Sequence, residues 1–417
     1  MKIVGVVAEY NPFHQGHLYH LNKIKTDLKP DAVVCVMSGN FVQRGEPAIF
    51  NKWARAEMAL AGGVDLVIEL PVCFSTATAE IFAESAVRLL YQTGVVNYIS
   101  FGIEENCKEE LLQLGKLLSQ EPLGLKEIIK SHLNEGITFA AAREKAVLQY
   151  LLDQDVLCDI NLLSRLLKKP NFILALEYIK AIHRLGANIK TYPILRQSAG
   201  YHDNMMNRKY PSATAIRAAL KSTGADLNAV ANSIPKSSFD IICREVENRR
   251  GPVFIEDFQK MLLYILRRLS VKEMRAYFDV GEGLEHRIKR ASTAIGTDQI
   301  ISQIKAKRYP ETKVKRILIH MLLDIQRPLV DSRTPLYLRV LGFSRRGAKV
   351  LRKIKKESTT PILTRTSDYK KLPARAMNMF EKDLFAAQIY FLACENPINW
   401  GGTEEFQKNV IYFASDK

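Results

Sequence analysis

Apolar residues in this chain come first in short unbroken runs and later at helical spacing. Residues 2–9 (KIVGVVAE), 32–37 (AVVCVM) and 64–70 (VDLVIEL) are β-rich and nearly continuously apolar. That is the pattern of central parallel strands covered on both faces. Residues 98–102 and 189–195 predict two further strands. Between these runs, Leu18, Leu21, Ile24 and Leu28 recur at helical spacing and stop before Pro30. Asn51 can cap a helix holding Lys52, Trp53 and Arg55, and residues 78–91 are also helical. Strands alternating with helices at this interval predict βαβ units with right-handed crossovers, hence an α/β fold with a doubly wound parallel sheet. Ligands of such sheets sit at the carboxyl ends of the strands. Here those segments are 9–17, 38–46, 71–76 and 102–105.

From Lys108 to about Leu185 the pattern is mostly helical, with Lys169-Pro170-Asn171 opening the last helix. Tyr201 to Tyr210 is a polar loop, and Ser212 or Thr214 is a cap for a helix through Ile216, Arg217 and Leu220. After about residue 225 the strand signals fade. Amphipathic helices take over at 255–270, 284–293, 296–307, 310–325 and 375–394, while 335–340 and 361–363 read equally as strand or loop. A chain of 417 residues suits more than one core. The expected division is therefore 1–225 and 226–417, with the boundary between Gly224 and Asn232.

Composition changes this picture little. The apolar fraction of 47% and charged fraction of 25% are those of an ordinary globular protein. No run approaches the ~18 apolar residues of a membrane span, and the apolar start breaks at Glu9, unlike a signal peptide. A cytoplasmic protein without a membrane partner is expected. The six cysteines are scattered, without metal or redox spacing, and read as reduced structural thiols. Charge is more informative because it is uneven. Residues 1–150 sum to −3 and residues 151–417 to +19. The densest basic run, Ser344 to Lys356, places Val350, Leu351 and Ile354 at helical spacing, so one face can pack while Arg345, Arg346, Lys353 and Lys356 meet phosphate. Such a patch suits a polyanion, with nucleic acid ahead of an anionic membrane; a merely solubilising basic face is the alternative.

The candidate chemistry lies where the first strand turns into the first helix: Val7, Ala8, Glu9, Tyr10, Asn11, Pro12, Phe13, His14, Gln15, Gly16, His17, Leu18, Tyr19 and His20. Three-residue spacing in a first helical turn puts His14 and His17 on one face, beside free backbone N–H groups and the positive end of the helix dipole. That corner attracts phosphate. Two imidazoles there can bond the phosphates of a nucleotide and stabilise charge that grows as an acceptor attacks the α-phosphorus. Gly16 would permit close backbone approach. Metal ligation by His14, His17 and His20 competes with this reading, but no acidic or Cys partner stands at a zinc-enzyme spacing, so no metal ligand is assigned. Histidines that merely pack the turn are a third reading. Gly342 to Lys349 has the glycine spacing of a P-loop but puts Ala348 where lysine is needed.

His14-Gln15-Gly16-His17 after a strand resembles the HxGH signature of the nucleotidyltransferase superfamily, and Ser212-Ala213-Thr214-Ala215-Ile216-Arg217 resembles its Ser/Thr-x-x-Ile-Arg-type element. The strings GVVAEYNPFHQGHLYHL, MSGNFVQRGEPAIFNKWARAEMAL, KPNFILALEYIKAI and SAGYHD are similar to one family, the bacterial tRNA(Met) cytidine acetate ligases, over essentially the whole chain. The resemblance implies a nucleotidyltransferase-like (HUP/Rossmann-like) catalytic domain over 1–225 and a basic, mainly α-helical, tRNA-binding domain over 226–417. It implies that ATP and acetate form acetyl-adenylate and pyrophosphate. The acetyl group then passes to the wobble cytidine of elongator tRNA(Met), giving N4-acetylcytidine without acetyl-CoA. Carried over by motif, ATP contacts fall on residues 7–20, Gly102, Asn171 and Arg196, with Mg2+ accompanying ATP and His14 and His17 acting in catalysis. Arg217 is a further phosphate candidate, with a surface arginine as its alternative. Asn171 would fix ribose or phosphate, or simply cap its helix. Lys52, Arg55, Gln43 and Arg44 are candidates for tRNA or acetate contact, with solvated side chains as the alternative. Ser198 replaces an expected glycine. Two other functions remain open: a small-molecule cofactor adenylyltransferase of the same superfamily, which leaves the basic half without a role, and a noncatalytic RNA-binding protein, which leaves the paired motifs idle.

Overall fold

The computed structural model describes residues 1–154, 159–196, 211–222 and 226–414. The SAGYHD string, the loop 201–210, Gly224 and Cys158 lie outside them. The apolar runs become β1 (Ile3–Ala8), β2 (Ala32–Ser38), β3 (Leu66–Leu70), β4 (Tyr98–Ile103) and β5 (Lys190–Leu195). They are mutually parallel in the spatial order β3-β2-β1-β4-β5. The order reverses between β1 and β4, because the chain winds outward through β2 and β3 and then returns to the other side of β1. That reversal opens a crevice at the carboxyl ends of these two strands.

Helices α1 (Gln15–Leu28), α2 (Lys52–Ala61), α3 (Ala79–Gln92) and α4 (Pro170–Arg184) are crossover elements of this sheet. Alternate side chains of β2 serve opposite faces. Val33, Cys35 and Met37 join the core under α1 and α2, while Val34 and Val36 join the core that includes α3 and α4. Asn51 caps α2 as expected, accepting from the Ala54 N–H at 3.0 Å. Helix α5 (Ala213–Ser222) is capped by Ser212, not Thr214: the Ser212 hydroxyl accepts from the Ala215 N–H at 3.1 Å.

The later chain supplies the expected helices, among them α6 (Gln259–Arg268), α7 (Glu311–Leu322), α8 (Arg345–Glu357) and α9 (Ala374–Leu392). It also supplies strands to the same sheet. β6 (Leu338–Ser344) pairs antiparallel with β3, and β7 (Ile362–Leu363) and β8 (Ile411–Phe413) pair parallel with β6. Of the two stretches left open as strand or loop, 338–340 and 362–363 are strand while 335–337 and Pro361 are loop, and the hydrogen-bonded sheet crosses the division at residue 225. The reason is tertiary: β6 is recruited by the free edge of β3, which no local propensity announces.

A buried charged network ties the two parts together. Lys52 donates to both carboxylate oxygens of Glu69 at 2.9 Å and lies 3.1 Å from Glu405, while Arg339 on β6 pairs with Glu405 and Glu69. Trp53 donates its indole N–H to Glu405 at 3.1 Å. Lys52 is only 1% exposed and Arg55 is wholly buried, so neither the solvated reading nor contact with tRNA or acetate fits these two residues. The five described cysteines are free thiols.

Candidate active site

Beyond β1 the backbone turns sharply, with Tyr10 at φ 47°, a left-handed conformation costly for a bulky residue and sustained by its surroundings. Arg55 donates to the carbonyls of Glu9, Ser38, Gly39 and Phe50, Arg217 donates to the Asn11 carbonyl at 2.9 Å, and Asn11 Oδ1 accepts from the Ile49 N–H at 2.7 Å. These bonds fix where α1 begins.

His14 is the N-cap of α1 and His17 the third residue within it. His14 Nδ1 accepts from the Gly16 N–H at 3.0 Å, and His17 Nδ1 accepts from the His14 N–H at 3.2 Å. This is a capping box built from two imidazoles in place of Ser and Glu. With both Nδ1 lone pairs engaged, hydrogen bonding assigns each ring the neutral tautomer with its proton on Nε2. The rings stack at 3.7 Å. Burial, then the charges of Arg196 and Arg217, hold the His14 pKa down at about 3. Burial, His14, Arg196 and His20 push His17 well below its ordinary value. His20, lowered to about 4 by burial and Arg196, has its Nε2 2.9 Å from the Ser100 hydroxyl. A Cβ at Gly16 would lie 2.9 Å from His14 Cε1. Gly16 thus makes room for the capping imidazole, a reason the sequence did not offer.

A cleft of about 220 Å³ opens at the β1–β4 reversal. Of the predicted site residues, Val7, Ala8, Glu9, Tyr10, Asn11, His14, His17, His20, Gly102, Asn171, Arg196 and Arg217 line it. Pro12, Phe13, Gln15, Gly16, Leu18 and Tyr19 do not; Phe13 is instead fully buried beside His17, with ring centroids 5.6 Å apart. Gln43 and Arg44 also line the cleft, as do the apolar and aromatic side chains of Phe82, Phe101, Leu174 and Tyr178, which the sequence reading did not single out.

Asn171 is not the cap of α4, a position held by Lys169. Its backbone and side-chain N–H groups both donate to Glu104 Oε1, at 3.0 and 2.8 Å, and its Oδ1 accepts from Arg196 Nη1 at 3.5 Å. Glu104 was missed as an individual residue, although it lies in the strand-end segment 102–105. A Cβ at Gly102 would come within 2.9 Å of Arg196 Cγ, so this glycine clears the arginine's path. Arg217 is half-buried, with Thr214 Oγ1 3.4 Å and Glu46 4.0 Å from its Nη2. Neutral imidazoles, two guanidiniums and a helix N-terminus beside an apolar wall suit a nucleotide whose phosphates meet the donors.

Among the described residues, no three His, Cys, Asp or Glu side chains are grouped to hold a metal, and no helix is long and apolar enough to cross a membrane. Helix α8 buries Gly347, Val350, Leu351 and Ile354 and leaves Arg345, Arg346 and Lys356 exposed and Lys353 half-buried. The Ser344 N–H that precedes it bonds the Asp65 carbonyl just before β3, and Glu357 at its end lies against Gly94, ahead of β4. Both ends of α8 are thus at the amino edge of the strands, opposite the cleft.

The HIGH Nucleotidyl Transferase family model matches residues 1–404. The tRNA(Met) cytidine acetate ligase of Halothermothrix orenii is 40% identical over 99% of both chains, and that of Thermoanaerobacter sp. strain X514 is 42% identical over 95% of this chain and 96% of its own. The crystal structure of Thermotoga maritima TmcAL bound with alpha-thio ATP is 34% identical and superposes over the full length of both chains with a TM-score of 0.92; its apo form gives 0.94. On this evidence the chain belongs to the HIGH nucleotidyl transferase family, among the tRNA(Met) cytidine acetate ligases.

Proposed function

We infer that this protein is an ATP-dependent acetate ligase that modifies the wobble cytidine of elongator tRNA(Met). The observation that carries the chemistry is the pair of neutral, mutually capping histidines at the carboxyl end of β1, facing Arg196 and Arg217 across the cleft. An acetate oxygen attacks the α-phosphorus of ATP and pyrophosphate leaves. The Nε2–H groups of His14 and His17 donate to phosphate oxygens as their charge grows, and the guanidiniums of Arg196 and Arg217 add charge-assisted bonds. Asn171 and Glu104 hold Arg196 in register, and Gly102 lets its side chain pass. The cytidine N4 then attacks the acetyl carbon and AMP departs. Because adenylation activates acetate directly, acetyl-CoA has no place in this scheme. Among the described residues a single carboxylate, Glu9, lines the cleft, so Mg2+ would arrive on the phosphates of ATP instead of occupying a protein cage. The exposed basic face of α8, at the far edge of the sheet, would meet tRNA phosphate away from the reacting base. A cytoplasmic setting, where tRNA and ATP meet, belongs to this reading.

Acetate-dependent exchange of labelled pyrophosphate into ATP tests the first step, and mass spectrometry of tRNA(Met) tests the second. His17→Ala should lower the exchange by at least about a hundredfold. Exchange that requires another acid or a nucleotide precursor would favour a cofactor adenylyltransferase, and no exchange at all would favour a noncatalytic RNA-binding protein.

A further inference from the structure

Cations and donors dominate the cleft: the Nε2–H groups of His14 and His17 and the guanidiniums of Arg44, Arg196 and Arg217. Glu9 is the one carboxylate among the described residues that line it. A like charge beside triphosphate weakens nucleotide binding, so holding ATP does not account for Glu9. Its position is nonetheless closely fixed. Glu9 Oε1 accepts from the Gln43 N–H at 2.9 Å, and the Glu9 carbonyl accepts from the buried Arg55. The residue is half-buried, and its Oε2 has no hydrogen-bond donor among the described residues.

The acetyl-transfer half of the reaction calls for such an acceptor. An attacking exocyclic amine must lose a proton, and His14 and His17 offer no free lone pair for it. The Nδ1 atoms of His14 and His17 are occupied by backbone N–H groups, and His20 Nε2 is paired with Ser100. Burial and the nearby Glu9 charge raise the Tyr178 pKa, so its phenol stays protonated. A carboxylate is also the side chain that pairs naturally with the N4 amino group of cytosine.

Building on the acetate ligase reading, we propose that Glu9 Oε2 accepts a hydrogen bond from the N4 amine of the target cytidine and takes its proton during transfer. The N4 nitrogen forms a bond to the acetyl carbonyl carbon. The bond from that carbon to the adenylate oxygen breaks, and its electron pair leaves with AMP. The N4 proton passes to Glu9 and from there to water.

The test supplies preformed acetyl-adenylate and unmodified tRNA(Met) to the full-length protein, so that adenylation is bypassed, and follows N4-acetylcytidine in single turnover. Glu9→Gln, which keeps an acceptor for the Gln43 N–H, should slow transfer by about 10²- to 10⁴-fold. This loss should exceed any loss of tRNA affinity measured by filter binding. Glu9→Asp, which retains the charge one methylene further back, should recover part of the rate. Transfer by Glu9→Gln at the wild-type rate, with only ATP-driven adenylation impaired, would overturn the assignment and return Glu9 to a role with ATP or its magnesium. A loss matched by weakened tRNA binding would overturn it as well. Failure of the wild-type protein to use supplied acetyl-adenylate would instead overturn the ligase reading, before any variant is compared.

Discussion

His14 and His17 are held by each other's helix turn as much as they are aimed at a ligand. The same bonds that cap α1 fix both tautomers, and burial keeps the rings uncharged, so each presents an Nε2–H to the cleft at neutral pH. The sign of the pH effect follows. These histidines have folded-state pKa values below the unfolded value near 6.5. Their neutral state is compatible with folding above that pH, and stability is lost as the pH falls from about 6.5 toward the folded values, where only the unfolded chain takes up protons. Histidine resonances followed by NMR in the unliganded protein should show His14 and His20 still neutral at pH 5.5; a midpoint near 6.5 for either would refute the buried geometry. Gly16 teaches a related lesson at this scale. The sequence suggested close approach to phosphate, whereas its contact with the His14 ring depends on a rotamer that only the folded turn fixes.

Among the elements, α8 best shows what a sequence pattern conveys and what it leaves out. Its apolar stripe and its basic face were both legible from spacing. Its place at the amino edge of the sheet was not, because that depends on β6 running antiparallel to β3. A polynucleotide contact there should be electrostatic and separable from the chemistry. Reversing the charge at Arg345, Arg346, Lys353 and Lys356 should weaken tRNA binding and flatten its dependence on salt, while acetate-dependent pyrophosphate exchange stays near wild type. Unchanged affinity for tRNA would remove α8 from the interface. Arg346 lies 3.4 Å from Asp65, so its own share should be smaller than that of Lys353 and Lys356, which have no ion pair among the described residues.

On the scale of the whole molecule, the early and late parts of the chain share one sheet and one buried set of charges. Lys52 and Glu69 from the early part meet Arg339 and Glu405 from the late part, and the Val72 N–H after β3 donates to Asp383 on α9 at 2.7 Å. Burial and the Glu69 charge raise the Asp383 pKa, and the Tyr337 hydroxyl donates to its carboxylate. Removing one member leaves the others charged in a dry environment. Lys52→Met should therefore cost on the order of 3–5 kcal/mol in urea unfolding, with early and late segments lost in one transition. A cost below about 1 kcal/mol would mean that the network contributes little to holding the halves together.

The sequence by itself determined the parallel strands, the helix that follows β1, the pairing of two histidines on its first turn at His14-Gln15-Gly16-His17 and the excess of positive charge in the later part. Each of these is written in local periodicity, capping chemistry or residue count, and so survives in a one-dimensional reading. Tertiary structure decided the rest. It buried Lys52 and Arg55, which any composition rule would leave in water, because Glu69, Glu405 and the Ser38 carbonyl, brought to them by the fold, supply compensating groups. It turned Asn171 from a candidate cap into a link between Glu104 and Arg196. It drew β6, β7 and β8 into a sheet begun more than 300 residues earlier, since a strand edge is satisfied by whichever segment the fold delivers to it. And it placed Glu9, the one carboxylate among the described residues of the cleft, beside cations brought together by the convergence of strand ends from distant parts of the chain.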